Sequence, residues 1–170
     1  NNLRRINDLK NGKNFFNEFK KKDLKNKVIN YTNSMKLLKN SNLFIVTVPT
    51  PILKNKNPDL KHLKDVCNNL SKIIKKKDII IFESTVYPGL TEEFCVPLLE
   101  RNTSLKYNKD FFCGYSPERI NPGDKFHQLN NIVKITSGSN KVTSRIVDQL
   151  YKSIIKAGTY KVKNMKIAEA

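Results

Sequence analysis

The sequence predicts a doubly wound α/β domain, a parallel sheet covered by helices on both faces. Short, unbroken apolar runs rich in β-branched residues, Leu43 to Val48 and Ile79 to Phe82 above all, alternate with amphipathic stretches of helical length. Strands buried on both faces read as continuous apolar runs, and parallel neighbours need a crossover long enough to hold a helix. Turn-rich loops follow three of the strands, and in such sheets ligands bind outside the carboxyl ends of the strands.

The elements follow in order. Leu3, Ile6 and Leu9 recur at helical spacing, and Asn11-Gly12 is a helix stop signal. A Lys-rich connector leads to a short strand at Val28 to Tyr31, a helix at Ser34 to Leu38 and the strand Leu43 to Val48. Leu60, Leu63, Val66, Cys67, Leu70, Ile73 and Ile74 form one apolar stripe, which predicts a long helix from Leu60 to Lys75 before the strand Ile79 to Phe82. Lys75-Lys76-Lys77 reads as the end of that helix, where cations complement the dipole. A helix at Thr91 to Glu100, a strand at Phe111 to Tyr115, a strand at Ile132 to Thr136, a helix at Val142 to Ile155, a strand at Thr159 to Val162 and a helix opening at Met165 complete the pattern.

Composition narrows the function. The net charge is +17, but only five of the 32 basic residues are Arg, and the Lys residues are spread along the chain among Asn and Ile. Phosphate-backbone sites concentrate bases on one face with Arg or stacking aromatics, so a solvated Lys surface is expected rather than a nucleic-acid partner. A basic nucleic-acid-binding α/β module stays as the alternative from another class. Cys67, Cys95 and Cys113 are odd in number and widely spaced, which predicts buried thiols and neither a disulfide framework nor a metal site. His62 falls off the apolar stripe of its helix, and His127 follows a turn-rich loop. The polar N-terminus lacks a signal peptide and no apolar run is long enough to span a membrane, so a cytoplasmic chain without a membrane partner is expected.

Three loops carry the candidate chemistry: Pro49-Thr50-Pro51, Glu83 to Gly89, and Ser116 to Asp124. Each also has a plain structural reading. Proline ends a strand, and Pro88-Gly89 ahead of Thr91 and Pro122-Gly123 are ordinary turn signals. Together, at one end of one sheet, they supply hydroxyls, a Glu and an Arg.

The stretches FIVTVPTPI (Phe44 to Ile52), IIIFESTVYPGLTEE (Ile79 to Glu93), GYSPERINPGD (Gly114 to Asp124) and KIAEA (Lys166 to Ala170) resemble the nucleotide-sugar 6-dehydrogenases of the UDP-glucose/GDP-mannose dehydrogenase family in order and spacing. The resemblance covers essentially the whole chain and is nearest to the UDP-N-acetylglucosamine and UDP-N-acetylgalactosamine branch, which supplies uronic acids for surface polysaccharide. It implies a Rossmann-like domain that binds NAD, a UDP-sugar substrate and a homodimer in the full-length enzyme. Pro49, Thr50, Ser84 and Thr85 would face the cofactor, Thr85 near the nicotinamide or a catalytic water. Glu118 would act in acid/base or water-positioning chemistry beside the reacting centre, which makes Glu118 and Thr85 the catalytic candidates. Arg119 and Asn121 would contact the sugar nucleotide. Arg5 would lie near the adenosine ribose or stand as a solvated helix residue.

Departures from the family pattern refine these expectations. UDP-glucose dehydrogenases carry a second Glu four residues after the first, where this chain has Pro122, which argues against glucose as the sugar. UDP-glucose, UDP-N-acetylmannosamine and GDP-mannose remain the alternative substrates. The Gly-rich pyrophosphate turn would precede Asn1, and the family's Lys, Asn and nucleophilic Cys would follow Ala170. The expected layout is therefore residues 1-163 as the later part of the NAD-binding domain and 164-170 as the start of a dimerisation-domain helix, truncated at both ends, with the first βαβ half-unit and the dimerisation and C-terminal domains missing.

Overall fold

The apolar runs form strands because β-branched and aromatic side chains fit a pleated, covered surface. In the computed structural model, which describes residues 2–13, 20–26, 28–118 and 131–170, β1 (Leu43–Val46), β2 (Ile79–Phe82) and β3 (Phe112–Tyr115) pair in parallel. Leu43 lies beside Ile79, and Ile79 beside Phe112. All four residues of β2 are buried, as expected for a strand flanked on both sides and covered on both faces. In β1 only Phe44 and Val46 are buried, and Ile45 is 47% exposed.

Among the described residues the sheet has five strands in the order β1-β2-β3-β4-β5, with β4 (Lys134–Gly138) and β5 (Thr159–Lys161) parallel to each other. The expected parallel sheet holds except between β3 and β4, which run antiparallel with Gly114 opposite Gly138 and Tyr115 opposite Ser137. Each step forward along β3 is a step back along β4. Carried three residues past Tyr115, that register brings Lys134 level with Glu118, and the two side chains meet at 3.7 Å. The first residue of β4 thus lies at the edge where β1, β2 and β3 end.

Helices cover both faces. On one, Val147, Tyr151 and Ile155 of α5 (Lys141–Lys152) and the turn after it pack against Ile79 and Ile81. Each such side chain contributes about 1.5–3 kcal/mol on burial. The side chain of Asn140 caps α5 by accepting from the Thr143 N–H at 2.9 Å. The approach of α5 to the sheet is very close: a Cβ on Gly138 would collide with the Ser144 backbone, and one on Gly114 would stand 2.8 Å from Val147 Cγ2. Asp148, on the same helix, is buried and accepts from Thr136 and Thr159 at 3.0 and 2.6 Å and from Lys152 at 2.8 Å. Burial opposes its ionisation, but these donors more than offset that and hold the carboxyl below the usual carboxylate range.

Leu63, Cys67 and Leu70 of α3 (Lys61–Leu70) and Leu99 of α4 (Val96–Glu100) are buried, with Cys95 and Cys113 beside Cys67. All three thiols are free and buried. A hydrogen bond with Cys67 and then burial push the Cys95 thiol up, and burial does the same to Cys113.

Local chemistry accounts for the differences from expectation. The helix expected to reach Lys75 stops at Leu70, where the chain tightens into i→i+3 bonds, Ile73 N to Leu70 O at 2.9 Å among them. The lysine run is a turn held by buried Asp78, which accepts from the Lys75 backbone N–H and ammonium at 2.9 and 3.0 Å. The helix expected at Thr91 opens with a π-turn, Thr91–Cys95, whose wider spacing accommodates Pro97, a residue without an N–H. The strand expected at Ile132 to Thr136 is β4, two residues later.

Residues 1–40 form a separate compact unit, and 41–170 another. In the first, α1 (Leu3–Lys10) is capped by the Asn2 side chain, and Gly12 closes it with φ 71°. A single helical turn, α2 (Lys21–Leu24), follows, and Tyr31 Oη donates to the Leu24 carbonyl at 2.9 Å. Val28 to Tyr31 is not a strand, because the Asn26 side chain takes the Val28 N–H at 3.0 Å and folds the segment into a turn. The helix expected at Ser34 to Leu38 is a 3₁₀ segment, Met35–Asn40. The last short helix of the second unit is α6 (Met165–Glu169).

Three outcomes test this packing. Gly138→Ala should destabilise the protein by about 2–3 kcal/mol in chemical unfolding, since backbone and not a flexible side chain must yield. Asp148→Asn should lose stability at neutral pH, and the gap to wild type should close as pH falls below about 4: a carboxyl with a lowered folded-state pKa stabilises above its unfolded value of about 3.9 and stops doing so once protonated. Native protein treated with iodoacetamide should leave Cys67, Cys95 and Cys113 unmodified by mass spectrometry, and urea should expose all three.

Candidate active site

The site lies at the carboxyl edge of β1, β2 and β3. β1 ends as Pro49 and Pro51 remove ladder donors. Hydroxyl groups then tie the strand-end segments together across the edge. Thr50 Oγ1 donates to the Thr85 carbonyl at 2.6 Å, Ser84 Oγ to the Val48 carbonyl at 2.6 Å, and Tyr115 Oη to the Ser84 carbonyl at 3.0 Å. Ser116 Oγ donates to the Ile135 carbonyl at 2.6 Å and fixes the exit of β3 against β4. These bonds hold open a cleft of about 270 Å³ lined by Thr47, Val48, Pro49, Thr50, Glu83, Ser84, Thr85 and Glu118.

Behind Glu83 and Glu118 of the cleft lining, charges converge on Lys134, which is 5% exposed. Its ammonium lies 3.3 Å from Glu83 Oε2 and 3.7 Å from Glu118 Oε2, and it donates to the Pro117 carbonyl at 3.1 Å. It also sits 5.3 Å from the centre of the Tyr151 ring. Tyr151 Oη donates to the second oxygen of Glu83. Burial, and then the carboxylate that its proton serves, push the Tyr151 hydroxyl above the usual phenol range. Glu83 is nearly covered, whereas 41% of the Glu118 side chain is exposed toward solvent.

The far end of the Glu83 to Gly89 loop is fastened from α6. Buried Glu169 accepts from the Gly89 N–H at 2.5 Å and the Thr91 N–H at 3.0 Å, which satisfies donors at a helix start that have no intrahelical partner. Glu92, in the first turn of that helix, accepts from Tyr107 Oη at 2.9 Å.

Of the residues singled out in the sequence, Pro49, Thr50, Ser84, Thr85 and Glu118 line this one cleft. Ser84 is buried with its hydroxyl directed to Val48. Arg5 belongs to α1, in the amino-terminal unit, and its N–H donates to the Asn2 side chain. Arg119 and Asn121 lie outside the described residues, as do Pro122 and His127, and His62 is exposed. Sequence reasoning missed Lys134, Tyr151 and Glu169, and it placed Glu83 in a candidate loop without giving it a role. The one available signal was Lys134 itself, a charge set between Val133 and Ile135 in a stretch expected as a strand. Among the described residues, no three His, Cys, Asp or Glu side chains are grouped to hold a metal ion, and no helix is long and apolar enough to cross a membrane.

Residues 1–155 match the NAD binding domain of the UDP-glucose/GDP-mannose dehydrogenase family. The UDP-N-acetyl-D-glucosamine 6-dehydrogenase of Pseudomonas aeruginosa is 54% identical over 142 residues, a match covering 84% of this chain and 34% of that protein. The protein of the same name from Salmonella typhi is 46% identical over 170 residues, covering 99% of this chain and 40% of that one. The solved structure of the UDP-D-ManNAc dehydrogenase from Pyrococcus horikoshii has the same fold, with a TM-score of 0.87 at 28% identity over 98% of this chain and 40% of that chain. The chain thus spans 34 to 40% of the length of these relatives. With a family domain matched over residues 1–155 and identities of 46 and 54% to two such enzymes, the chain belongs to the UDP-glucose/GDP-mannose dehydrogenase family and carries its NAD binding domain.

Proposed function

We infer that this chain contributes the cofactor- and substrate-facing loops of an NAD-dependent nucleotide-sugar 6-dehydrogenase, which oxidises C6 of a UDP-N-acetylhexosamine to the uronic acid for surface polysaccharide. The observation that carries the reading is the convergence of Thr50, Thr85 and Glu118 on one cleft at the carboxyl edge of the sheet. UDP-N-acetylglucosamine is the favoured sugar, supported by relatives named for it at 46 to 54% identity, against 34% for one named for UDP-N-acetylmannosamine. Pro122, where a UDP-glucose enzyme carries Glu, points the same way.

The cleft fits the nicotinamide end of NAD. It offers Thr47, Thr50 and Thr85, with the Thr50 hydroxyl as an acceptor because its hydrogen goes to the Thr85 carbonyl, and the apolar ring of Pro49 in a space of about 270 Å³, enough for a nicotinamide and its ribose but not for the whole dinucleotide. Thr50 and Thr85 would hold that end, with Pro49 packed against it, and the bound nicotinamide supplies a hydride acceptor. Conversion of an alcohol to a carboxylate removes two hydrides and takes up one water. Glu118, half in solvent at the rim, accepts a proton from the reacting oxygen or orients that water. Thr85 faces the same space and positions the water or the cofactor amide. Arg119 and Asn121 take the anionic nucleotide sugar, and Arg5 serves the adenosine ribose. Residues 1-163 belong on this reading to the cofactor domain and 164-170 to the helix that opens the dimerisation domain of a cytoplasmic homodimer.

The test follows NADH absorbance with the full-length protein, NAD+ and a panel of UDP-N-acetylglucosamine, UDP-N-acetylgalactosamine, UDP-N-acetylmannosamine, UDP-glucose and GDP-mannose. The highest kcat/KM should fall on UDP-N-acetylglucosamine; a preference for UDP-glucose would overturn the sugar assignment, and no NADH from any of the five would overturn the reaction. Glu118→Gln keeps the shape and removes the charge, so kcat should fall about 10²-fold or more while KM for the nucleotide sugar moves far less. Near-wild-type turnover in that variant would remove Glu118 from the mechanism.

A further inference from the structure

We propose that Lys134 is a positioning residue: its buried ammonium ties the Glu118 carboxylate and the Pro117 carbonyl to Glu83 in the cleft wall, and so fixes where Glu118 stands. This rests on the dehydrogenase reading for its role in turnover, but not for the tether itself.

A lysine is a poor choice for packing alone at this position. Withdrawing an ammonium from water is costly, and a buried ion pair can often be replaced by apolar residues with no loss of stability. The cost is offset here by an unusually complete set of partners. Glu83 and Glu118 lie on two sides at 3.3 and 3.7 Å, the Pro117 carbonyl accepts at 3.1 Å, and the Tyr151 ring faces the charge at 5.3 Å. Glu83 makes a firm base because its other oxygen accepts from Tyr151 Oη, whose hydroxyl burial and that carboxylate keep protonated. The partners are also unequal. Glu83 is sealed in, with 13% of its side chain exposed, whereas Glu118 is 41% exposed and stands on a segment past the last paired residue of β3. Fastened from the interior by a lysine on the opposing strand, such a carboxylate keeps one position; without that cation, two carboxylates would face the same site and repel. The antiparallel register that brings Lys134 level with Glu118 makes the reach short.

The experiment compares wild type, Lys134→Gln, Lys134→Arg and the double variant Lys134→Gln/Glu118→Gln in the full-length protein. Hydrogen exchange read by mass spectrometry should speed about fivefold or more at the Ser116 and Glu118 amides in Lys134→Gln, a local opening, and stay near wild type in Lys134→Arg. kcat with UDP-N-acetylglucosamine should fall about tenfold or more with KM changed less than about threefold, and Lys134→Arg should recover most of the loss. Because Lys134 acts through Glu118, adding Lys134→Gln to Glu118→Gln should change kcat by less than about twofold. Multiplicative losses, unchanged exchange, or a Lys134→Arg variant no better than Lys134→Gln would each overturn the proposal. If Lys134→Gln does not fold, Lys134→Met, of similar length and suited to the buried stem, answers the same questions. A wild-type protein that makes no NADH would sink the dehydrogenase reading while the exchange data still decide the tether.

Discussion

The reversal of chain direction between β3 and β4 is the constraint on which the rest of the site depends. Three parallel strands deliver three loops to one edge but no residue from beneath it. Because β4 begins at that edge and runs away from it, its first residue, Lys134, reaches Glu83 and Glu118 while its last, Gly138, receives the start of α5. The same register accounts for the two close approaches of α5, at Gly114 and Gly138, which are themselves paired across the strands. Strand direction, helix seating and the placement of a buried charge are therefore one decision.

The hydroxyl groups of the edge show how a site can be rigid without being apolar. Thr50, Ser84 and Tyr115 each donate to a carbonyl of a neighbouring segment, and each carbonyl is one that a further ladder bond would otherwise have used. The strands part at their ends, yet the backbone acceptors remain satisfied, as buried peptide groups must be. The EST motif thus divides its labour: Ser84 holds the wall, and Thr85 faces the space that the wall encloses.

Most of the sheet was legible because its signals are local. The apolar runs of β1, β2 and β3 and the stop at Asn11-Gly12 are each decided by a few adjacent residues. Val28 to Tyr31 misled because β-branched residues suggest a strand until a neighbouring Asn side chain captures the backbone first. The direction of β4 could not be read, since side-chain periodicity does not distinguish a parallel from an antiparallel partner. The loop residues of the cleft were legible as motifs. Their supports were not, because Lys134 stands 17 residues from Pro117 and 51 from Glu83, Tyr151 stands 68 from Glu83, and Glu169 stands 78 to 80 from the N–H groups it holds, and no local pattern encodes such meetings.

Glu169 sets a phase relation between two parts of the chain. An α-helix turns about 100° and rises about 1.5 Å with each residue, so a slip of α6 by one position would swing the Glu169 carboxylate away from Gly89 and Thr91 altogether. Asn164 fixes the other end of the same short helix by accepting from the Ile167 N–H at 2.9 Å. Rotation and translation of α6 are thereby indexed to the backbone that follows Thr85, much as a key is indexed to its slot. A single insertion or deletion between Asn164 and Glu169 would throw the two out of step while leaving every residue that lines the cleft unchanged.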